Sequence, residues 1–209
     1  PPRSTLFPYT TLFRSHYYTG IQNYDLLNYS EILQLAQENK MFGINKFGLV
    51  ASGKALSDKD VDSVCDIANK LIQDTGMKIC ASLGCLSQDA LQKLKSAGIT
   101  MYHHNIETCK EYFDNICTTH TYDERIQTVK NVKSVGLELC CGGIWGMGES
   151  TKQRIDMLFE IKEISPRCVP INFLNPVKGT PLEQEKSIAS LEAIKFLAIA
   201  RLILPDCII

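Results

Sequence analysis

The 209-residue chain lacks a strong charge of either sign and lacks any long apolar run. Its 22 basic and 23 acidic residues leave a formal net charge of -1 at pH 7. No basic stripe is present, so we expect no nucleic-acid partner. Crossing a bilayer takes about 20 consecutive apolar residues, and the longest runs here are far shorter. We therefore expect no membrane association, and we see no secretory signal segment.

Cysteine pairs with the Cys-x-x-Cys spacing are also missing, so the sequence does not predict a zinc ribbon. Thiols themselves are abundant, because the chain contains nine cysteines. Their odd number, their scatter and the lack of a secretory segment favour reduced thiols and a cytoplasmic protein. The composition, 44% hydrophobic and 22% charged, is that of a globular chain with one core-bearing domain.

Residues 1–15 fit no regular element. Thr5-Leu6-Phe7 recurs as Thr11-Leu12-Phe13, with two prolines before the first copy and one between the copies. The segment is similar to translated sequencing-adapter sequence, and we interpret it as a non-native leader; a genuine disordered leader is the alternative. We expect the native domain to occupy residues 16–209, to lack its true start and to stop within a strand.

One pattern, a capped amphipathic helix followed by glycine and an apolar strand, repeats along the chain. The predicted caps are Ser30, Ser57, Ser87 and Thr121, the last with Glu124 in a capping box. Glycines end these helices, and strands are predicted over 44–52, 77–83, 99–106, 137–142, 168–174 and 206–209.

Strands that alternate with helices pair in parallel. An open doubly wound sheet fits this pattern, but polar residues at the strand ends favour a barrel, where enzymes of this type keep their sites. We predict an α/β fold, a partial (β/α)8 TIM-type barrel with about six of eight units.

The segment Cys140–Glu149 reads Cys-Cys-Gly-Gly-Ile-Trp-Gly-Met-Gly-Glu after an apolar run. Thiols at a strand end suit a soft metal or an iron–sulfur cluster. Glycines after them let a flat or anionic ligand approach the backbone. Cys80 ends a strand two units earlier, so Cys80 and Cys140 could meet across a barrel mouth. The alternative is that each is an inert core cysteine, which is how we interpret Cys141.

Polar residues also mark the strand predicted over 99–106. Alternation along a strand places His103, Asn105 and Glu107 on one face. Polar groups facing a barrel interior need partners or a ligand. An amide and a carboxylate two residues apart suit a pair of hydroxyls, such as those of a ribose. A self-satisfied polar layer and general acid–base chemistry remain open.

Two further polar residues stand in otherwise unremarkable elements. Arg125 lies in the first turns of the helix that Thr121 opens. It belongs either to a solvated helix face or to a site that binds a ligand carboxylate. Asn172 lies in an apolar strand, where a buried amide must be hydrogen-bonded. A contact from Asn172 to a ligand is therefore plausible.

Together these segments resemble the biotin synthase family, within the radical S-adenosylmethionine (SAM) superfamily. Tyr102–Thr108 matches the family's Tyr-x-His-Asn-x-x-Thr motif. Gly142–Glu149 matches the superfamily's Gly-x-Ile-x-Gly-x-x-Glu pattern, which lies against the adenine of SAM. Val169–Asn172 and Lys178–Pro181 complete the signature, and His16–Gly20 is similar to the segment that follows the radical cluster loop.

The resemblance implies a reaction and a set of ligands. A SAM-derived 5′-deoxyadenosyl radical would abstract hydrogen from dethiobiotin, and an auxiliary cluster would supply the bridging sulfur of biotin. Implied cofactors are a 4Fe–4S cluster, an auxiliary 2Fe–2S or variant cluster, and SAM. Implied partners are dethiobiotin, an electron donor such as flavodoxin or ferredoxin, and a second subunit in a homodimer.

The resemblance also assigns roles to particular residues. The auxiliary cluster would be held by Cys80 and Cys140. Cofactor-binding residues, for SAM, would be Asn105, Glu107, Arg125, Gly142, Ile144 and Gly146. Arg125 would lie near the methionyl part, while Asn105 and Glu107 would hold the ribose and border the dethiobiotin site. The ureido ring of dethiobiotin would contact Asn172.

Several features depart from the family pattern. The Cys-x-x-x-Cys-x-x-Cys loop of the 4Fe–4S cluster is absent before His16, and the arginine ligand of the seventh strand would follow Ile209. Gly48 replaces a third auxiliary-cluster cysteine, so another ligand or cluster type is implied. His103 replaces an asparagine. We therefore predict that this chain alone is inactive and binds no 4Fe–4S cluster.

Three other interpretations remain. The chain could derive from another radical SAM barrel enzyme with a different substrate. It could instead be a cluster-free barrel that uses Glu107 and His103 as acid and base. Finally, it could be a truncated chain without function, since an unclosed barrel exposes unpaired strand edges.

Overall fold

The computed structural model describes residues 27–51 and 53–209. The predicted leader and the His16–Gly20 segment lie outside this part of the chain. The helices are α1 (Tyr29–Met41), α2 (Asp58–Thr75), α3 (Gln88–Ser96), α4 (Lys110–Phe113), α5 (Tyr122–Ser134), α6 (Thr151–Ile164) and α7 (Ser190–Ile203). The strands are β1 (Lys46–Val50), β2 (Lys78–Ser82), β3 (Ile99–His103), β4 (Glu138–Cys140), β5 (Gly143–Trp145) and β6 (Ile171–Phe173). No helix among these is long and apolar enough to cross a membrane.

The described residues divide into two compact units. The first comprises the described chain up to His103 together with Lys130–Glu138, and the second comprises His104–Val129 and Leu139–Ile209. The first unit contains the parallel strands β1, β2 and β3, in that order. Strand β4 starts in this unit at Glu138, and the chain then passes into the second unit.

Helix caps in the first unit follow the predicted pattern at Ser57 and Ser87. The Ser57 hydroxyl accepts the Asp60 amide, and the Ser87 hydroxyl accepts the Ala90 amide. Gly76 ends α2 in the left-handed conformation, with φ of 68°, which an ordinary residue resists. The two predicted caps and the predicted glycine end are confirmed. The sequence could predict them because each cap is a local interaction.

The predicted cap of α1 was wrong by two residues. Asn28, not Ser30, is the N-cap: its side-chain oxygen accepts the Glu31 amide at 3.1 Å, and the Glu31 carboxylate accepts the Asn28 amide at 3.0 Å. This reciprocal pair forms a capping box. The Ser30 hydroxyl instead donates to the Asn28 side-chain oxygen. The Thr121–Glu124 capping box was predicted correctly, since each residue's side chain accepts the other's amide.

The second unit is organised around β5 and β6, which pair in parallel. Their register places Trp145 beside Phe173 and Ile144 beside Asn172. Trp145 and Phe173 pack against Phe196 of α7, with ring centroids 5.2 and 6.4 Å from it. Because strand side chains alternate, Ile144 and Asn172 lie together on the face opposite α7.

Strand boundaries were the weakest part of the prediction. No strand was predicted directly after 137–142, yet β5 occupies Gly143–Trp145 within the glycine-rich segment Cys140–Glu149. The strand predicted over 99–106 ends at His103, and the strand predicted over 168–174 is regular only over Ile171–Phe173. At the end of the chain, Ile208 forms a single parallel bridge with Cys168.

Close packing explains the glycines at position 142 and at the start of β5, position 143. A Cβ at Gly142 would collide with the Pro170 carbonyl oxygen. A Cβ at Gly143 would collide with the Met157 side chain and with the Glu107 carbonyl oxygen. Neighbouring backbone therefore fills the space that a side chain would need, and the absence of Cβ atoms allows the segments to approach each other.

We expect Gly143→Ala to lower the free energy of unfolding by about 1 to 3 kcal/mol, as overpacking does. Urea unfolding of the 209-residue chain measures this loss. Gly48→Ala is the matched control, because a Cβ at Gly48 meets only the Cys80 Sγ, at an ordinary 3.5 Å. Equal losses in both variants would contradict the packing explanation.

Candidate functional site

Glu107 is the most unusual residue of the second unit. Its backbone is left-handed, with φ of 69°, a conformation that is uncommon for residues other than glycine. It is only 5% exposed. Within the described residues its Oε2 atom is buried and has no hydrogen-bond partner. Since buried polar atoms are nearly always paired, this oxygen marks a position where a ligand donor would be favourable.

The left-handed backbone at Glu107 also corrects the strand alternation expected there. The segment after β3 follows the glycine-rich segment: the His104 amide donates to the Cys140 carbonyl, and the Glu107 carbonyl accepts the Ile144 amide. This path brings Asn105 and Glu107 together, although not through alternation in one strand. His103 belongs to the first unit, so its predicted place beside Asn105 and Glu107 stays a prediction.

Arg125, on the second turn of α5, supplies the positive charge beside this carboxylate. It is 4% exposed, which excludes a solvated helix face. Its Nη1 lies 3.4 Å from Glu107 Oε1 and donates to the Asn105 carbonyl oxygen at 2.7 Å. Its Nε donates to His120 Nε2 at 2.9 Å. The guanidinium is therefore held at two of its nitrogens.

Asn105 links the carboxylate to the glycine-rich segment. Its side-chain oxygen accepts the Gly142 amide at 3.0 Å, and its side chain hydrogen-bonds Glu107. Asn172 contacts the same segment, because its Nδ2 donates to the Gly143 carbonyl at 3.1 Å. The structure thus brings together four of the residues selected from the sequence: Asn105, Glu107, Arg125 and Gly142.

Burial dominates the protonation of this cluster. It raises the pKa of the Glu107 carboxyl, and the charge of Arg125 and the hydrogen bond from Asn105 oppose that rise. Burial also raises the pKa of Cys141 to about 12. Cys141 is fully buried, and its raised pKa favours the thiol form, as expected for a packing residue.

Glu149 holds the turn that follows β5. Its two carboxylate oxygens accept the Gly146 and Met147 amides, each at 2.7 Å. Arg154 of α6 donates from Nε to Glu149 at 2.6 Å and pairs through Nη1 with Glu192 of α7 at 2.5 Å. Gly146 adopts a φ of 95° at this turn, which requires glycine.

Sequence reasoning missed Arg154, Glu192 and His120 as parts of the site. Glu149 was visible in the Gly-x-Ile-x-Gly-x-x-Glu motif, but its role as an acceptor for backbone amides was not predicted. A carboxylate three residues after Gly146 was the only available signal for that role. The Glu149–Arg154 and His120–Arg125 contacts each join residues five apart in the sequence, a spacing that matches no common capping or helix-pair motif. Only the Arg154–Glu192 pair is set by tertiary packing.

Two predicted residues meet in the first unit. Gly48 is the register partner of Cys80, and the Cys80 thiol is buried and lies 3.5 Å from the Phe47 carbonyl oxygen. Burial raises the pKa of Cys80, and the charge of Lys46 opposes the rise. A cysteine at position 48 would therefore place its thiol beside that of Cys80.

His103 is also a residue of the first unit. Burial and the charge of Lys46 lower its pKa to about 4. A pKa this far below neutrality makes the ring a weak base at physiological pH, whereas an efficient general base has a pKa near the working pH. His103 therefore gives little support to the cluster-free acid–base interpretation.

The described residues also bear on the predicted metal ligands. All nine cysteines lie within the described residues, and none of them forms a disulfide there. Nowhere in 27–51 and 53–209 do three or more His, Cys, Asp or Glu side chains form a group that could hold a metal ion. Cys140 is buried in the second unit, and Cys80 belongs to the first. Their predicted approach to each other stays a prediction.

The comparisons with known proteins bear directly on this site. The family model of the radical SAM superfamily matches residues 10–161. This chain belongs to the radical SAM superfamily. The matched range contains the Glu107 cluster and the glycine-rich segment. A second family model, the Biotin and Thiamin Synthesis associated domain, matches residues 170–209, the range that contains Asn172.

Several curated relatives of this radical SAM chain are biotin synthases. That of Acetivibrio thermocellus is 52% identical over 190 residues, covering 91% of this chain and 59% of the relative. That of Clostridium tetani is 50% identical, with coverage of 91% and 58%. That of Clostridioides difficile is 47% identical, with coverage of 92% and 59%. The chain thus spans about 59% of the length of these relatives.

Solved structures share the fold. Methylornithine synthase superposes with a TM-score of 0.80 at 22% identity, covering 90% of this chain and 56% of that one. The FeFe-hydrogenase maturase HydG from Carboxydothermus hydrogenoformans superposes at 0.77 with 18% identity, covering 90% and 46%. These matches confirm the predicted α/β fold of a partial radical SAM barrel.

Proposed function

We propose that this chain is part of a biotin synthase, which converts dethiobiotin to biotin by SAM-derived radical hydrogen abstraction and sulfur insertion. Identity of about 50% to curated biotin synthases supports this activity, as does the Biotin and Thiamin Synthesis associated domain. The chain covers only part of those relatives, so the activity is proposed for the longer protein.

The unpaired Oε2 of Glu107 is the observation that carries the proposal. A buried carboxylate oxygen without a donor costs free energy, and a hydroxyl donated by a ligand relieves that cost. The ribose of SAM presents two adjacent hydroxyls. The Asn105 side chain lies beside the same carboxylate and completes an amide–carboxylate pair suited to them.

Arg125 would serve the charged end of the same ligand. Its Nε and Nη1 are engaged by His120 and by Asn105 and Glu107. Arginine's planar fork suits carboxylates, so the remaining Nη2 would orient the methionyl carboxylate of SAM. Gly142, Ile144 and Gly146 would border the adenine, and Asn172, on the same face as Ile144, would border dethiobiotin.

Membership of the superfamily implies a 4Fe–4S cluster that supplies the electron for SAM cleavage. The described residues contain no ligand group for such a cluster, so only the organic ligands are assigned to side chains here. For the auxiliary cluster we keep Cys80 and Cys140 as proposed ligands. The thiol missing at Gly48 leaves the type of that cluster open to a variant ligand set.

We also propose partners and a location for the longer protein. The substrate would be dethiobiotin, and reduction would require a donor protein such as flavodoxin or ferredoxin. We propose a homodimer in the cytoplasm. Nine cysteines without a disulfide among them suit a reducing compartment.

The test uses the full-length protein that contains this chain, reconstituted with iron and sulfide and supplied with reductant, SAM and dethiobiotin. We expect biotin and 5′-deoxyadenosine to form. Glu107→Gln should lower the affinity for SAM at least about tenfold, the worth of one charge-assisted hydrogen bond. Thr118→Ala, an exposed substitution in the same unit, serves as the control. Formation of 5′-deoxyadenosine without biotin would indicate another radical SAM enzyme, and formation of neither product would refute the proposal.

A further inference from the structure

His120 occupies a buried position directly before the capping residue Thr121. It is 7% exposed. One side of its ring meets Phe113 edge-on, with centroids 5.9 Å apart. Its Nε2 lies 2.9 Å from Arg125 Nε. No role was assigned to this histidine from the sequence.

The partners of His120 determine its protonation state. Arginine nitrogens donate and do not accept hydrogen bonds, so His120 Nε2 must present a lone pair to Arg125. The other ring nitrogen, Nδ1, lies 2.9 Å from Thr119 Oγ1 and 3.4 Å from Cys117 Sγ, which is also 3.6 Å from Nε2. These atoms can accept a proton from Nδ1. The hydrogen-bond network therefore assigns the neutral ring with its proton on Nδ1.

Engagement of Nε constrains the guanidinium of Arg125. Its Nη1 is anchored by the Asn105 carbonyl and by Glu107. A planar group that is held through Nε and Nη1 has a fixed plane and a fixed direction for Nη2. Loss of the acceptor at His120 would leave the buried Nε unpaired and free the group to rotate away from Glu107.

We infer that His120 is a positioning residue, whose neutral Nδ1–H tautomer accepts the Arg125 Nε–H and fixes the guanidinium against Glu107 and toward a ligand carboxylate. The part of this inference that concerns the ligand, the methionyl carboxylate of SAM, rests on the proposed function. The part that concerns the tautomer and Arg125 does not.

The first experiment measures the ring nitrogen shifts of His120 in the 209-residue chain by 15N nuclear magnetic resonance at neutral pH. The chain has four histidines, so loss of a signal in His120→Gln assigns the resonance. We expect a protonated Nδ1 and a bare Nε2. A protonated Nε2, in either the other tautomer or the imidazolium, would overturn the inference.

The second experiment measures SAM affinity in the full-length protein by calorimetry. His120→Gln retains an acceptor and should keep the affinity within about threefold, whereas His120→Phe fills the space without an acceptor and should lower it about tenfold. Equal affinities in the two variants, or a loss in Thr118→Ala equal to that in His120→Phe, would overturn the inference. If His120→Phe does not fold, the inference is decided by the ring nitrogen shifts of His120 and by the SAM affinity of His120→Gln.

The two experiments separate the inference from the proposed function. If the full-length protein forms no biotin but His120 shows a bare Nε2, only the proposed function fails. If biotin forms but His120 carries its proton on Nε2, only the positioning role fails.

Discussion

Arg125→Met is expected to remove about 3 to 5 kcal/mol from the free energy of unfolding, the usual cost of breaking a buried ion pair from one side. The side chains of Arg125 and Glu107 are only 4% and 7% exposed. Without Arg125 the Glu107 carboxylate would be buried with no cation beside it. Methionine fills similar volume, so the loss would measure the missing charge rather than a cavity. Urea unfolding of the 209-residue chain gives the value.

Two comparisons make this prediction specific. The double variant Arg125→Met, Glu107→Gln removes both charges and should recover a large part of the loss, since replacing a whole pair is far less costly than breaking it. Lys93→Met removes a cation from an exposed pair with Asp62 and should leave the free energy of unfolding almost unchanged. A double variant no more stable than Arg125→Met would contradict the ion-pair explanation.

The loss in Arg125→Met should also depend on pH. Burial already raises the pKa of Glu107 above 4.5, and Arg125 opposes that rise, so the substitution raises the pKa further. In the variant, Glu107 therefore has a higher pKa in the folded state than in the unfolded state. Between these two pKa values the folded state binds more protons, so the stability of the variant falls as pH rises through that window. We expect a small loss at pH about 4.5 and the full loss at pH about 8. A loss independent of pH would show that the charge on Glu107 is not responsible.

Local interactions account for what the sequence could predict. Ser57 and Ser87 accept amides three residues ahead, and such short-range bonds are visible in the order of residues. The error at α1 was of the same kind, because Asn28 with Glu31 was an equally readable capping box and Ser30 was chosen over it. The repeat of helix, glycine and strand likewise fixed the α/β class, because each unit carries its own signals.

Long-range packing accounts for what could not be predicted. Gly142 and Gly143 were interpreted only as room for a ligand, but the Pro170 carbonyl and the Met157 side chain also occupy the positions next to their missing Cβ atoms. Their small size serves the approach of neighbouring segments, which depends on residues far along the chain. The left-handed backbone at Glu107 had no sequence signal, because glutamate does not favour it.

The candidate site was predictable only in part. The resemblance to a known family selected Asn105, Glu107 and Arg125, and the structure brings them into contact. Composition alone could not have paired Arg125 with Glu107, because a helix surface is the commoner place for arginine. The acceptor for its Nε, His120, emerged only from the geometry.

Glu149→Ala is expected to destabilise the turn after β5 more than any other change in that turn. Both carboxylate oxygens accept backbone amides, at Gly146 and Met147, and hydrogen bonds to a charged group contribute about 1.5 to 3 kcal/mol each. Alanine would leave both amides without their acceptor and would leave Arg154 with Glu192 alone. We expect a loss of about 3 kcal/mol in unfolding free energy.

Hydrogen exchange distinguishes this local effect from general destabilisation. In Glu149→Ala the amides of Gly146 and Met147 should exchange much faster, while the amide of Ile144, bound to the Glu107 carbonyl, should keep most of its protection. The Glu192 side chain, which is 54% exposed, is the outer partner of Arg154. Glu192→Ala removes only this partner and should leave all three amides protected. If Gly146 and Met147 stay protected in Glu149→Ala, the carboxylate does not hold the turn. If they lose protection, the Gly146–Gly148 turn depends on a charge outside it, and a ligand that packs on this turn would lose affinity in the same variant without losing any direct contact.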